Sequence, residues 1–317
     1  MNRLIEVEQL YRYYGDHLAV NDVSFTLEKG EILGFLGPNG AGKSSTMQMI
    51  CGNLAPSSGQ VRINGIDILD NPKEAKGELG YLPENPPVYR ELTVDEYLTY
   101  CARLHGLKKD KVKAAVDSAR ERCGLAEVGG RLIGNLSKGF QQRVGIAQAI
   151  LHSPAVIVLD EPTVGLDPIQ IREIRQLIRD LGREHGIILS THILPEVQES
   201  CTQVQIIHNG RLVLNDRIEG LEKRMGASSL LVVTRQAPDV AGLSAIPGVR
   251  AVEALDHQRW RVLHDKDANP AEQVAALAVA SGWGLLELTP EKRSIEQIFV
   301  EITQQPEPHA AGTEEAA

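Results

Sequence analysis

Apolar positions change period along this chain, and the changes mark out its elements. Near the start, Leu4-Ile5-Glu6-Val7-Glu8 and Val23-Ser24-Phe25-Thr26-Leu27 alternate on either side of a Gly15-Asp16 turn, as short strands do. Residues 31–36 read as a buried strand and residues 45–51 as a helix, with a Gly-rich loop between them. Residues 60–63 and 80–83 give a turn-bounded strand and a second short one. The period then becomes helical. Thr93-Val94-Asp95-Glu96 has the form of a capping box and opens a helix to about His105, and a second helix covers 110–123. Ser137 caps a third, whose inner face carries Val144, Ala147 and Leu151.

Residues 155–159, Ala-Val-Ile-Val-Leu, form a continuous apolar run of the kind that suits the centre of a parallel sheet. Asp167-Pro168 starts a helix with the buried stripe Ile171, Ile174, Leu177, Ile178 and Leu181, and Gly186 stops it. A further buried strand, 187–191, ends at His192. From about Leu221 the pattern changes again. Strands are predicted at 230–234, 249–255, 260–263 and 285–288, with helices at 271–280 and 294–302 and a short one near 239–243. The order is that of a small βαββαβ-like α+β unit, in which Trp260 and Trp283 are core residues. Residues 304–317, rich in Pro, Glu and Ala, are predicted to be a disordered tail.

The chemistry concentrates in the loop Gly37-Pro38-Asn39-Gly40-Ala41-Gly42-Lys43-Ser44-Ser45, which fits G-x-x-x-x-G-K-[ST]. Glycines allow positive φ, so successive N–H groups converge on phosphate oxygens, and the following helix points its positive end at the same anion. Lys43 supplies a cation for the outer phosphates and the Ser44 hydroxyl a ligand for Mg²⁺. The apolar strand ending in Asp160-Glu161 completes a Walker B arrangement, with Asp160 for Mg²⁺ and Glu161 to polarise the attacking water. His192 ends a parallel strand, where open sheets place their sites, and is a candidate γ-phosphate sensor. Tyr11, Tyr13 and Tyr14 lie between the first strands, where an aromatic either stacks on an adenine or packs at a turn.

Composition narrows the setting. The 317 residues suffice for two domains, or for one domain with an appendage, and 42% apolar content is that of a globular core. A net charge of −9 argues against a chain-wide nucleic-acid surface and against adhesion to an anionic membrane. Cys51, Cys101, Cys123 and Cys201 are scattered without C-x-x-C pairing, which points to a reducing compartment rather than a disulfide or zinc framework. The first residues carry no apolar signal core, and no window reaches the roughly 18 apolar residues of a spanning helix. A cytoplasmic protein is expected, with any membrane connection made through a partner.

These pieces, in this order, resemble the ATP-binding cassette (ABC) ATPases over about residues 3–220. The stretch Leu136-Ser137-Lys138-Gly139-Phe140-Gln141-Gln142-Arg143 looks like the family's L-S-G-G-Q signature. The resemblance implies an α/β P-loop NTPase cassette with an N-terminal antiparallel β arm and a helical insertion at about 92–152. A small α+β C-terminal domain, 221–303, and the tail would follow. It further implies ATP and Mg²⁺ as cofactors and a head-to-tail homodimer, in which Ser137 and Gly139 act on the partner's γ-phosphate. Tyr14 becomes the adenine-stacking residue, Asp167 the D-loop aspartate at the dimer seam and His192 the switch histidine. Two positions depart from the pattern. Lys138 replaces the first of the paired glycines, and Glu84 stands where a Q-loop glutamine is usual. A carboxylate there still binds Mg²⁺ or its water but donates no amide hydrogen bond.

Both departures, with Ser190-Thr191-His192-Ile193-Leu194-Pro195-Glu196, resemble the ABC-2 exporter branch that includes gliding-motility-type ATPases. The expected function is ATP hydrolysis that drives separate integral membrane permease subunits, contacted through the helical insertion and residues 84–90. One alternative is a soluble cassette ATPase of translation or DNA repair, although such relatives usually carry two cassettes or a long coiled-coil insertion. Another is a nucleotide-responsive binding module that hardly hydrolyses ATP.

Overall fold

A computed structural model describes residues 3–220, 229–265 and 268–291. The chain forms two compact units, Met1–Ile218 and Glu219–Ala317. In the first, β1 (Arg3–Tyr14), β2 (His17–Glu28), β3 (Ile32–Leu36), α1 (Lys43–Ile50), β4 (Ser58–Ile63), β5 (Ile66–Asp67), α2 (Pro72–Gly77) and β6 (Leu79–Leu82) come first. Helices α3 (Val94–Leu104), α4 (Lys109–Arg122) and α5 (Lys138–Ile150) follow. The unit continues through β7 (Val156–Asp160), α6 (Pro168–Gly182), β8 (Gly186–Thr191), α7 (Leu194–Ser200), β9 (Gln203–His208) and β10 (Arg211–Arg217).

The strands of this unit form two sheets among the described residues. One is the antiparallel β2-β1-β4-β5 arm. In the other, β9-β3-β8-β7-β6 are parallel and β10 is added antiparallel at the edge. The apolar runs of the central strands are continuous because both faces are covered. In β7, Val156 and Val158 join a core with α1 and the β arm, while Ile157 and Leu159 join a core with α3 to α6. In β8, Ile188 faces the first core, and Ile187 and Leu189 the second. The period of two along each strand thus welds α1 to one side and the helical layer to the other.

Two elements differ from the sequence pattern. Tyr11, Tyr13 and Tyr14 belong to β1 and do not sit between strands, because β1 continues past a bulge to pair Tyr13 with Leu18 and Tyr11 with Ser58. The β9–β10 hairpin is absent from the expectations above. Its turn is Asn209-Gly210, both at positive φ, a two-residue sequence signal for a hairpin.

In the second unit, β11 (Ser229–Thr234), α8 (Val240–Ser244), β12 (Val249–Ala254), β13 (Arg259–His264), α9 (Ala271–Ala280) and β14 (Leu285–Glu291) run in the order βαββαβ. The sheet is antiparallel, β12-β13-β11-β14, and Leu230, Val232, Leu243, Val262, Val274, Ala278 and Trp283 form its core, with Trp260 packed against them. The helix expected at 294–302 and the tail at 304–317 lie outside the described residues.

Candidate active site

Three adjacent parallel strands, β3, β8 and β7, end at one level, since Leu36 pairs with Thr191 and Ser190 with Asp160. Everything that follows those strands therefore meets at one sheet edge, the crevice where open α/β sheets bind ligands. After β3 comes the phosphate loop. Gly42 has φ 104°, and a Cβ there would lie 2.5 Å from the Ala19 carbonyl oxygen, so no other residue fits the turn into α1. No side chain caps α1, which leaves its first N–H groups directed at the loop. Lys43 curls back so that Nζ donates to the carbonyls of Gly37 at 2.7 Å and Pro38 at 3.1 Å.

Lys43 as a whole residue is only 7% exposed. Burial pulls its pKa down, and the nearby carboxylates of Glu161 and Asp160 pull it back up. The groups it bonds directly are two neutral carbonyls, and the carboxylates act on it through charge alone. An anion in the loop would pair with it directly, so the lysine, the uncapped helix and the Gly42 turn together fit a phosphate group.

Asp160 ends β7 and Glu161 follows it, both buried. Burial raises the Asp160 pKa, the Ser190 hydroxyl opposes it, the charge of Glu84 raises it further and Lys43 lowers it. Glu84, just beyond β6, is exposed and lies within electrostatic reach of Asp160. Two carboxylates and the exposed Ser44 hydroxyl make an all-oxygen donor set, the kind that suits a hard divalent cation. Glu161 has φ 48°, a backbone conformation that costs energy for a residue with a side chain, and its N–H donates to Ser190 O at 2.8 Å. Its side chain is held from β8: His192 Nδ1–H donates to Oε1 at 2.8 Å. The imidazole is half exposed and the carboxylate is not, so the histidine spans from the buried acid to the open crevice.

Tyr14 is exposed, and its hydroxyl lies 3.4 Å from Ser45 Oγ of the phosphate loop. The Arg12 guanidinium sits over its ring, 4.7 Å from the centroid. Sequence reasoning missed Arg12: the register of β1 shifts between Arg12 and Tyr13, so no period along the strand brings its guanidinium to Tyr14.

Ser137 and Gly139 open α5 in the helical layer, and among the described residues no hydrogen bond ties them to the phosphate loop of their own chain. Ser137 Oγ caps the helix by accepting from Phe140 N. A Cβ on Gly139 would lie 2.7 Å from the Gln170 side chain, so this loop packs closely on the start of α6. There Asp167 accepts from Ile169 N at 2.9 Å and Gln170 N at 3.0 Å, an N-cap. Sequence reasoning also passed over Thr163, Thr191 and Glu196: Glu196 accepts from both threonine hydroxyls, which stand on the loops that carry Glu161 and His192. Only the Thr-His-x-x-x-Glu spacing hinted at them.

A phosphate loop, an acidic strand end and a histidine on neighbouring strands of one parallel sheet define a P-loop ATPase. The ABC transporter family profile matches residues 20–164. Over 304 residues the chain is 34% identical to the bacitracin transport ATP-binding protein BcrA of Bacillus licheniformis, covering 95% of this chain and 98% of that one. It is 31% identical over 306 residues to the linearmycin resistance ATP-binding protein LnrL of Bacillus subtilis, covering 95% and 98%. The structure of cbiO1 from Clostridium perfringens, part of the ABC transporter complex cbiONQ, superposes with a TM-score of 0.65 at 29% identity, over 70% of this chain and 91% of that one. The chain belongs to the ABC transporter ATP-binding proteins and is a nucleotide-binding ATPase of that family.

Proposed function

We propose that this protein hydrolyses ATP as the energy-supplying subunit of an ABC-2 type exporter. The observation that carries the reading is the His192–Glu161 hydrogen bond at the edge that also holds Lys43 and Asp160. Lys43 and backbone N–H groups of the loop Gly37–Ser45, Pro38 excepted, bind and orient the β- and γ-phosphates, and Tyr14 stacks on the adenine. Ser44, Asp160 and Glu84 are the residues that would hold Mg²⁺, and the ion when bound offsets charge on the phosphate oxygens. Glu161 Oε1 is taken by His192, so Oε2 is the acceptor for the attacking water. The water oxygen adds to the γ-phosphorus as Glu161 removes its proton, and the bond to the leaving oxygen of ADP breaks. His192 keeps Glu161 aimed and senses the γ-phosphate from its exposed edge.

Two copies pair head to tail, so that Ser137 and Gly139 of each close the other's nucleotide, with Asp167 at the seam. No helix among the described residues is long and apolar enough to cross a membrane. Separate permease subunits therefore complete the exporter, contacted through α3 to α5 and residues 84–90, with the ATPase on the cytoplasmic face. The relatives named for bacitracin transport and linearmycin resistance, and the cassette from a multi-subunit transporter complex, support this placement.

Glu161→Gln keeps shape and removes the base. Turnover should fall by about a hundredfold or more, the scale of general-base catalysis, with ATP affinity kept. Turnover equal to wild type, after controls for contaminating ATPase, would sink the assignment. The same variant held in ATP should trap the closed dimer and recover a multi-span membrane protein in a pull-down, which Lys43→Ala should not.

A further inference from the structure

Among the described residues no hydrogen bond joins Glu196 to the phosphate loop, and it is 1% exposed in the first turn of α7. A buried carboxylate is costly unless its oxygens accept hydrogen bonds. Both do. Thr163 Oγ1 donates to Oε1, and Thr191 Oγ1 lies 2.9 Å from Oε2. Thr163 stands two residues after Glu161, and Thr191 immediately precedes His192. One carboxylate therefore joins the two loops that carry the base and its histidine.

An ordinary acid at this helical position reaches back to the N–H of its own cap residue, as Glu96 does to Thr93 N at 2.8 Å in α3. In α7 that N–H, on Ile193, instead donates to Thr191 Oγ1 at 3.1 Å. The Glu196 carboxylate is left to face inward. Helix capping alone does not account for it.

The Thr191 hydroxyl has one proton and two carboxylates within reach, Glu196 Oε2 at 2.9 Å and Glu161 Oε2 at 3.4 Å. The shorter contact takes it. We propose that Glu196 is a positioning residue for hydrolysis: it clamps the Thr163 and Thr191 loops and draws the Thr191 proton away from Glu161, leaving Glu161 Oε2 free to accept from water. The proposal rests on the reading of Glu161 as the base and extends it to a residue outside the nucleotide contacts.

The full-length protein tests it through kcat and KM for ATP and the Kd of a fluorescent ATP analogue, compared for wild type, Glu161→Gln, Glu196→Gln and Thr191→Val/Glu196→Gln. A glutamine at 196 keeps one oxygen where the carboxylate has two and presents N–H₂ at the other position; with that N–H₂ on Thr191, the Thr191 proton turns toward Glu161. In Glu196→Gln kcat should fall about tenfold or more, with KM and Kd within about twofold of wild type, the signature of an interaction that matters in the transition state. Removing the hydroxyl as well should make the double variant at least about threefold faster than Glu196→Gln, because the competing proton is gone. A Glu196→Gln kcat within about twofold of wild type overturns the proposal, as does a loss expressed only in KM. A double variant no faster than Glu196→Gln also overturns it and reduces Glu196 to a packing group. Should Glu196→Gln fail to fold, Thr163→Val frees one oxygen of the clamp from the other side. A lowered kcat at unchanged Kd supports the clamp there, and an unchanged kcat overturns it. The two readings fail separately: a Glu161→Gln enzyme with normal turnover sinks the parent assignment, whereas an inactive Glu161→Gln beside a normal Glu196→Gln sinks only this one.

Discussion

His152 shows how packing rather than function sets a side chain's chemistry in this protein. Its ring lies flat on His105, centroids 3.9 Å apart, and its Nε2–H donates to Leu79 O at 3.1 Å. Burial first, and the neighbouring His105 ring second, push its pKa down to about 4 from 6.5. The folded value is below the unfolded one, so the unfolded chain binds more protons between the two. This contribution to stability is complete above about pH 6.5 and is lost as the pH falls toward about 4. A one-proton difference sets a slope of at most about 1.4 kcal/mol per pH unit. His152→Gln keeps a donor for Leu79 O and has no such proton. Denaturant midpoints at pH 7 and pH 5 should show wild type losing more stability than the variant, and equal losses would contradict the account. Lys43, Ser44, Asp160, Glu161 and His192 were legible in the sequence because motif spacing fixes them. Glu196 and its threonines were not: the Thr163 bond spans 33 positions and depends on β7 lying beside β8, and the Thr191 bond, 5 positions apart, replaces the usual reach of such an acid to its own helix cap.

At the scale of elements, the capping box opening α3 was written in the sequence and is present in full. Glu96 N donates to Thr93 Oγ1 at 3.2 Å, and Glu96 Oε2 accepts from both the N–H and the hydroxyl of Thr93 at 2.8 Å. The Thr93 N–H and hydroxyl also hold the Glu96 carboxyl below its ordinary pKa. Thr93→Ala removes the acceptor and leaves an N–H unpaired, so it should destabilise by about 1 kcal/mol. A denaturant midpoint indistinguishable from wild type would show that the helical layer does not depend on this cap. The apolar runs of β7 and β8 and the stripe of α6 were equally legible, since burial on two faces or one leaves a distinct period. Ile174, Leu177, Ile178 and Leu181 are buried, while Ile171 at the start of the stripe is half exposed. The extension of β1 through Tyr14 was not legible. Arg12, Tyr13 and Tyr14 are exposed or half exposed, and what keeps them extended is pairing with β2, not their own periodicity.

At the scale of the molecule, each unit carries its own core. Among the described residues, two cores of the first unit, with the residues packed against them, reach as far as Leu212, and a core of the second runs from Leu230 to Leu288. Every residue assigned to the nucleotide, from Tyr14 to His192, lies in the first unit. A polypeptide of residues 1–220 keeps all three strand ends, the β arm that supports Tyr14 and the helical layer that presents Ser137. It should fold alone, unfold cooperatively and bind a fluorescent ATP analogue with a Kd within about threefold of the full chain, as a domain with its own core does. Loss of cooperative unfolding, or of binding, would mean that the second unit completes the first. Retained binding would confine the second unit's part to what happens after the nucleotide is held: pairing of copies, contact with the membrane subunits, or control of turnover. The 34% identity to BcrA extends over 95% of this chain and so takes in that unit too. Measuring turnover of the 1–220 piece beside its binding separates these roles, since a unit that only recruits partners leaves kcat unchanged and one that supports the proposed pairing of copies lowers it.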